Sequence, residues 1–164
     1  SERVVDMNLG VLKSTRRAPQ AGDIFVMQPP DGRFLYGRVI STSAAIGPIK
    51  DCILIYIYRP RSSEKMVVPE LNSDDLLVPP MLTNKLAWSK GFFELIDNRP
   101  LIPEDRLPQH CFARSWTTPP QYFDDIGNQL SEPVQPVGEY GLQSYRTIDD
   151  RISTALGLPL AAED

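Results

Sequence analysis

Sixteen of the 164 residues are proline, about double the usual share of ~5%. Each proline lacks a backbone N–H and fixes φ. Long helices and long regular strands are therefore disfavoured, and short strands joined by pinned loops are favoured. Against that background the run Asp51-Cys-Ile-Leu-Ile-Tyr-Ile-Tyr58 is the strongest strand signal in the chain. Its apolar, β-branched and aromatic residues predict a central position in a sheet. The stretch from Gly22 to Ile40 predicts a hairpin. Its first strand runs from Asp23 to Met27, and Pro29-Pro30-Asp31-Gly32 supplies the turn. In the second arm Phe34, Tyr36, Arg38 and Ile40 point one way, and Leu35, Gly37 and Val39 the other. Gly37 in mid-strand marks a bend or a close backbone approach.

Residues 62–80 read as an acidic loop, with Met66-Val67-Val68 and Leu76-Leu77-Val78 as short edge strands. A further strand is expected from Leu86 through Trp88 and Phe92-Phe93 to Ile96, broken by Gly91. Cys111 to Trp116 and Tyr122-Phe123 read as two more. The one convincing helix comes late: Ile148, Ile152, Ala155 and Leu156 share a face, and Gly157 with Pro159 ends it. Thr147 with Asp150 resembles a capping box, and Asp149 and Asp150 are placed against the positive end of the helix dipole. A helix of about ten residues is marginal alone, so it must lie on the sheet. Residues 1–20, with Arg3, Lys13, Arg16 and Arg17 against Glu2 and Asp6, read as a basic arm. Residues 21–160 read as a single mostly-β domain, long enough to bury a core without a metal or disulfide staple.

The net charge of −4 argues against a general polyanion binder, because phosphate affinity comes from neutralising several phosphates with Lys and Arg. Cys52 and Cys111 are too few for a secreted disulfide scaffold, and Cys52 sits in an apolar run that predicts a buried thiol. No apolar stretch approaches the ~18 residues that would span a bilayer. A cytoplasmic, reduced protein with no membrane partner is the resulting expectation.

Catalytic chemistry finds little support. His110 is the only histidine. A zinc site would need His110, Cys52, Cys111 and a carboxylate to converge without the close paired spacings of such sites. A His110–Cys111 dyad would place its two side chains on opposite faces of a strand. The pairs Asp74-Asp75, Asp124-Asp125 and Asp149-Asp150 are adjacent residues, which seldom converge on one point, and no phosphate loop or dinucleotide fingerprint is present. No catalytic residue, metal or cofactor is expected.

What remains are surfaces. Glu64, Glu70, Asp74 and Asp75 form an acidic loop suited to a basic partner, and Trp88 and Trp116 are candidate interface anchors. An alternative face interleaves aromatic with basic residues, Arg33, Phe34, Tyr36 and Arg38, joined by Tyr56, Tyr58, Arg59 and Arg61. Small barrels bind single-stranded nucleic acid on such surfaces by stacking and phosphate contact.

Three stretches carry a family resemblance. The first is Gly22-Asp23-Ile24-Phe25 with Asp31-Gly32-Arg33 and Tyr36-Gly37-Arg38-Val39. The second runs from Gly91-Phe92-Phe93 to Asn98-Arg99-Pro100-Leu101, and the third is Gly141-Leu142 with Asp150-Arg151-Ile152. In these the chain resembles the Immunity protein 26 family of bacterial polymorphic toxin systems. It departs from that pattern in the 60–80 region, the proline load and the basic first twenty residues. The resemblance implies a mainly β fold, an SH3-like or related small antiparallel barrel or curved sheet with one C-terminal helix packed on it. It also implies an immunity protein that binds a cognate toxin and neutralises it by occlusion, without catalysis; a small β-barrel nucleic-acid-binding module is the alternative. The matched motifs are turns and core aromatics, so no catalytic residue is carried over. The expected partner is a toxin protein and not nucleic acid, and the sequence sets no oligomeric state.

Overall fold

The computed structural model describes residues 6–162, so Glu2 and Arg3 of the basic arm lie outside the described residues. Strands β1 (Asp23–Met27), β2 (Phe34–Ile46), β3 (Ile49–Ser62) and β4 (Leu76–Thr83) form the body of the first sheet. A one-turn helix α1 (Leu86–Ser89) leads to β5 (Glu94–Asn98). Strands β6 (Cys111–Arg114), β7 (Gln121–Phe123), β8 (Gln129–Leu130) and β9 (Val137–Glu139) make a second sheet, and β10 (Leu142–Gln143) returns to the first before helix α2 (Tyr145–Ala155). The sheet orders are β10-β4-β3-β2-β1-β5 and β8-β7-β6-β9. All pairs are antiparallel except β10 with β4 and β9 with β6. The fold is mainly β, as expected, and of the forms anticipated it is the open curved sheet with a helix, not a closed barrel.

Strand β3 is central because both of its faces are covered. Ile53, Ile55 and Ile57 join Phe25, Met27, Leu35, Val39, Trp88 and Phe93 in a core shared with Ile148 and Ile152 of α2. The alternate residues Leu54, Tyr56 and Tyr58 pack with Ile40, Leu82, Phe112, Phe123 and Tyr140, beneath the second sheet. A strand buried twice reads as a continuous apolar run, which is why this one was so clear in the sequence. At Gly37 the expected close approach is present: a Cβ there would lie 2.3 Å from Phe25 Cζ and 2.9 Å from the Tyr56 carbonyl oxygen. The Phe25 ring takes that space and stacks on Phe93 at 4.5 Å.

The prolines do not keep the strands short. Strands β2 and β3 run 13 and 14 residues, but their ladder is interrupted by four register shifts. In β4 the pairing passes from Ile57↔Val78 to Ile55↔Met81, so Pro79 and Pro80 bulge out of the ladder where no N–H is required.

Several local expectations are corrected. Leu86 to Ile96 is not one strand. Ala87 and Trp88 are buried, and a single helical turn directs Trp88 against Phe25 and Phe93; Gly91, at φ 85°, then reverses the chain into β5. Met66-Val67-Val68 is loop, with Met66 and Val67 exposed, and not an edge strand. Helix α2 begins earlier than expected, with Ser144 as its cap: Ser144 Oγ accepts the Thr147 N–H at 3.1 Å. Asp149 is therefore not in the first turn. It is buried, and its two carboxylate oxygens accept the Asn8 N–H at 3.1 Å and the Leu9 N–H at 2.8 Å.

Those bonds dock the described part of the basic arm. Leu9 is 3% exposed and belongs to the core under α2. Gly10, Leu12 and Thr15 donate onward to the carbonyls of Gln28, Gly91 and Trp88. Among the described residues no helix is long and apolar enough to cross a membrane.

Candidate partner-binding face

Two loops beside the β1–β2 hairpin are each fixed to the framework and to one another. The loop 63–75 is held at its start by Tyr36, whose hydroxyl meets the carbonyls of Glu64 and Lys65 at 2.9 and 2.8 Å. At its end the Arg59 N–H donates to the Asp75 carbonyl at 3.0 Å, and the Arg59 guanidinium pairs with the Asp75 carboxylate at 3.3 Å. The loop 99–106 is held by Arg38, which donates from Nη2 to the Arg99 carbonyl at 2.7 Å and pairs through Nη1 with Asp105 at 3.2 Å. Asp105 in turn accepts the Ile102 N–H at 2.9 Å, closing the tight turn Pro103–Asp105. Ser73 Oγ donates to the Glu104 carbonyl at 3.2 Å and ties the two loops together.

Between them lies a cleft of about 420 Å³, lined among others by Arg38, Glu70, Leu71, Ile102, Glu104 and Asp105. Glu70, Asp74 and Glu104 are exposed and have no ion-pair partner among the described residues. Of these, Glu70 and Glu104 line the cleft together with Arg99, over a floor where Arg38 and Asp105 neutralise each other.

The structure thus brings Glu70 of the acidic loop into one cleft with Arg38 of the alternative face. Asp74 stands on the same loop, Glu64 is exposed at its start, and Asp75 is spent on Arg59. The two tryptophans separate. Trp88 is 1% exposed and is core, so it presents nothing to a partner, whereas Trp116 is 74% exposed. The Trp116 ring leans on the Arg114 guanidinium, which lies 5.3 Å from its centroid and 4.9 and 5.5 Å from Phe123 and Tyr140.

The aromatic-basic surface does not assemble as a stacking platform. Arg33 is exposed and Phe34 half-buried, but Tyr36 is 0% and Arg38 5% exposed, and Tyr56 and Tyr58 are equally buried. Arg38, Arg59 and Arg61 are each held in an ion pair, with Asp105, Asp75 and Asp31. The Arg61 fork holds the Asp31 carboxyl below its usual value.

Sequence reasoning missed Ile102, Glu104 and Asp105, whose only local signal was a proline-punctuated turn. It also missed a buried polar network. Tyr56 Oη accepts the Leu107 N–H at 3.0 Å and lies 2.5 Å from His110 Nε2, while His110 Nδ1 is 3.4 Å from Asp125. Burial pushes the Tyr56 phenol up to about 12, and the His110 hydrogen bond holds the Asp125 carboxyl below its usual range. Tyr56 faces no solvent, and this network fastens the second sheet to the first. Asp124 serves a turn, accepting from the Ile126 and Asn128 N–H groups. Cys52 and Cys111 are buried free thiols, and among the described residues no group of His, Cys, Asp and Glu is placed to hold a metal.

No curated protein and no solved structure matches the chain. The family model for Immunity protein 26 matches residues 20–120, a span that takes in the hairpin, both loops of the cleft and β6. The third resembling stretch, at Gly141 and Asp150, lies outside it. With more than half of its residues inside that match, the chain belongs to the Immunity protein 26 family.

Proposed function

We propose that this chain acts in the cytoplasm as an immunity protein of a polymorphic toxin system, binding a cognate toxin and covering the surface with which the toxin acts, without chemistry of its own. Beyond family membership, the observation that carries the reading is three exposed carboxylates on two mutually fastened loops, Glu70 and Glu104 lining the cleft and Asp74 standing outside it on the first loop. A rigid, uncompensated negative surface suits a basic partner surface, such as the cleft of a nuclease. Complementary charge there speeds encounter and fixes orientation more than it deepens affinity. Trp116, exposed and braced by Arg114, offers a large rigid anchor of the kind enriched at binding hot spots.

The test is protection. Cells expressing a cognate toxin domain grow when the chain is co-expressed, and the purified pair forms a stable complex. Reversing charge at Glu70, Asp74 and Glu104 slows association on the order of tenfold at low salt, an effect that fades as salt rises. Protection by a chain that forms no complex with the toxin would sink the occlusion reading.

A further inference from the structure

We infer that Arg114 and Trp116 form a clamp for a carboxylate side chain presented by a protein partner, the acid meeting the Arg114 guanidinium and the aliphatic stem behind it lying on the Trp116 ring. That the partner is the toxin rests on the reading above; the chemistry of the clamp stands apart from it.

Arg114 closes β6, and its guanidinium lies 5.3 Å from the ring centroid of Trp116, 4.9 Å from that of Phe123 and 5.5 Å from that of Tyr140. Two of these rings belong to the framework. Phe123 and Tyr140 are buried and stack on each other at 4.3 Å, and Tyr140 Oη accepts the Gly47 N–H at 2.7 Å. Trp116 is the opposite case: at 74% it is the most exposed of the large apolar side chains among the described residues. One charged group therefore joins the core of the second sheet to a ring that stands in solvent.

The Arg114 charge is held in place but not neutralised. Nη1 donates to the Gln121 side-chain oxygen at 3.2 Å, a neutral acceptor. Unlike Arg38, Arg59 and Arg61, Arg114 pairs with no carboxylate among the described residues, and Asp124, beside Phe123, is engaged by its own turn. Nε is sealed from solvent, whereas Nη2 is neither sealed nor hydrogen-bonded, so an arriving acceptor meets the Nη edge. An exposed ion pair contributes little as a rule, because two long side chains must give up freedom to hold it. Arg114 has already given up that freedom to the rings and to Gln121, and the aromatic cover leaves its charge less hydrated than that of a free arginine. A planar carboxylate matches the guanidinium edge in shape and charge. A nucleic-acid phosphate fits less well, since a polyanion would approach a chain of net charge −4 and find a single arginine in the clamp.

The experiment titrates the full chain at low salt, observed by NMR of its amide, arginine Nε–H and indole N–H groups, with N-acetyl-glutamate amide, N-acetyl-glutamine amide and an oligothymidylate. The expected result is saturable shifts at Arg114, Trp116 and Gln121 with glutamate, and no saturation with glutamine. R114K, which keeps the charge and loses the planar fork, binds the glutamate amide at least about fivefold more weakly, the loss of one charge-assisted hydrogen bond or more. W116A removes a ring that the core does not use; it leaves the remaining spectrum in place and also weakens binding. Equal response to glutamate and glutamine, or wild-type affinity in W116A, overturns the inference. Tighter binding of the oligothymidylate at the same three residues overturns it too, in favour of a phosphate partner. Clamp binding by a chain that gives no protection overturns the immunity reading and leaves the carboxylate site in place. Full protection by a wild-type chain that ignores the glutamate amide does the reverse.

Discussion

Tyr56 Oη lies 2.5 Å from His110 Nε2 across the boundary between the two sheets. His110 Nδ1 faces Asp125 at 3.4 Å, and the phenol oxygen also accepts from the Leu107 N–H. Tyr56→Phe keeps the ring but leaves both His110 Nε2 and the Leu107 N–H without a partner. Each such loss in a buried site costs about 1–3 kcal/mol. The variant should lose about 2–4 kcal/mol, read as a lower urea midpoint with an unchanged slope.

Asp125 and Asp149 titrate in opposite senses. Asp125 is lowered by its hydrogen bond to His110. Its contribution is fully present above its unfolded value near 3.8 and fades as pH falls through the lower folded value. Asp149 is raised, chiefly by burial, against the opposing pull of the Asn8 and Leu9 N–H groups. What it contributes is fully present below 3.8 and is lost as pH rises through the higher folded value. Denaturant midpoints measured from pH 2 to 7 should therefore show a flatter acid limb in Asp125→Asn. Asp149→Asn should remove the decline that the wild type shows as pH rises above 3.8.

Gly37→Ala places a methyl 2.3 Å from Phe25 Cζ and 2.9 Å from the Tyr56 carbonyl. The carbonyl belongs to the central strand and cannot move alone. The Phe25 ring is held between Phe93 and Trp88. The expected loss is about 3 kcal/mol or more, beyond ordinary overpacking, seen in thermal melts as a large drop in Tm or as failure to fold.

The two tryptophans should separate stability from binding. Trp88→Ala opens the core and should cost about 3–5 kcal/mol. Trp116→Ala removes an exposed ring and should leave stability within about 0.5 kcal/mol, while weakening the toxin complex at least about tenfold, the scale of a hot spot. Calorimetry on both variants, with and without the toxin domain, checks the pair.

What could be read from the sequence follows the range of the interactions. The hairpin and β3 were legible because double burial writes an unbroken apolar run. Helix α1 was not, since one turn is too short to show a period, and Trp88 with the Phe92-Phe93 pair beyond it fits a strand equally well. Nothing local distinguishes Trp88 from Trp116; only the fold places one against Phe25 and the other in a surface loop. Glu70 was visible as part of an acidic loop. Its cleft partners Glu104 and Asp105 were not, because the Ser73–Glu104 bond that joins the loops spans 31 positions. His110 was judged against its neighbour Cys111, when its partners are Tyr56 and Asp125.

The paired prolines of β4 bear on how this protein can persist at high concentration. Strand β10 covers β4 only at Leu82 and Thr83, and an uncovered margin of a sheet is ordinarily a template on which another copy can grow. Pro79 is exposed and has no N–H to offer an arriving strand, while Pro80 is buried with Gly138 packed against its carbonyl. A foreign strand arriving there meets an incomplete ladder, so the first sheet is guarded against polymerisation by what its backbone lacks.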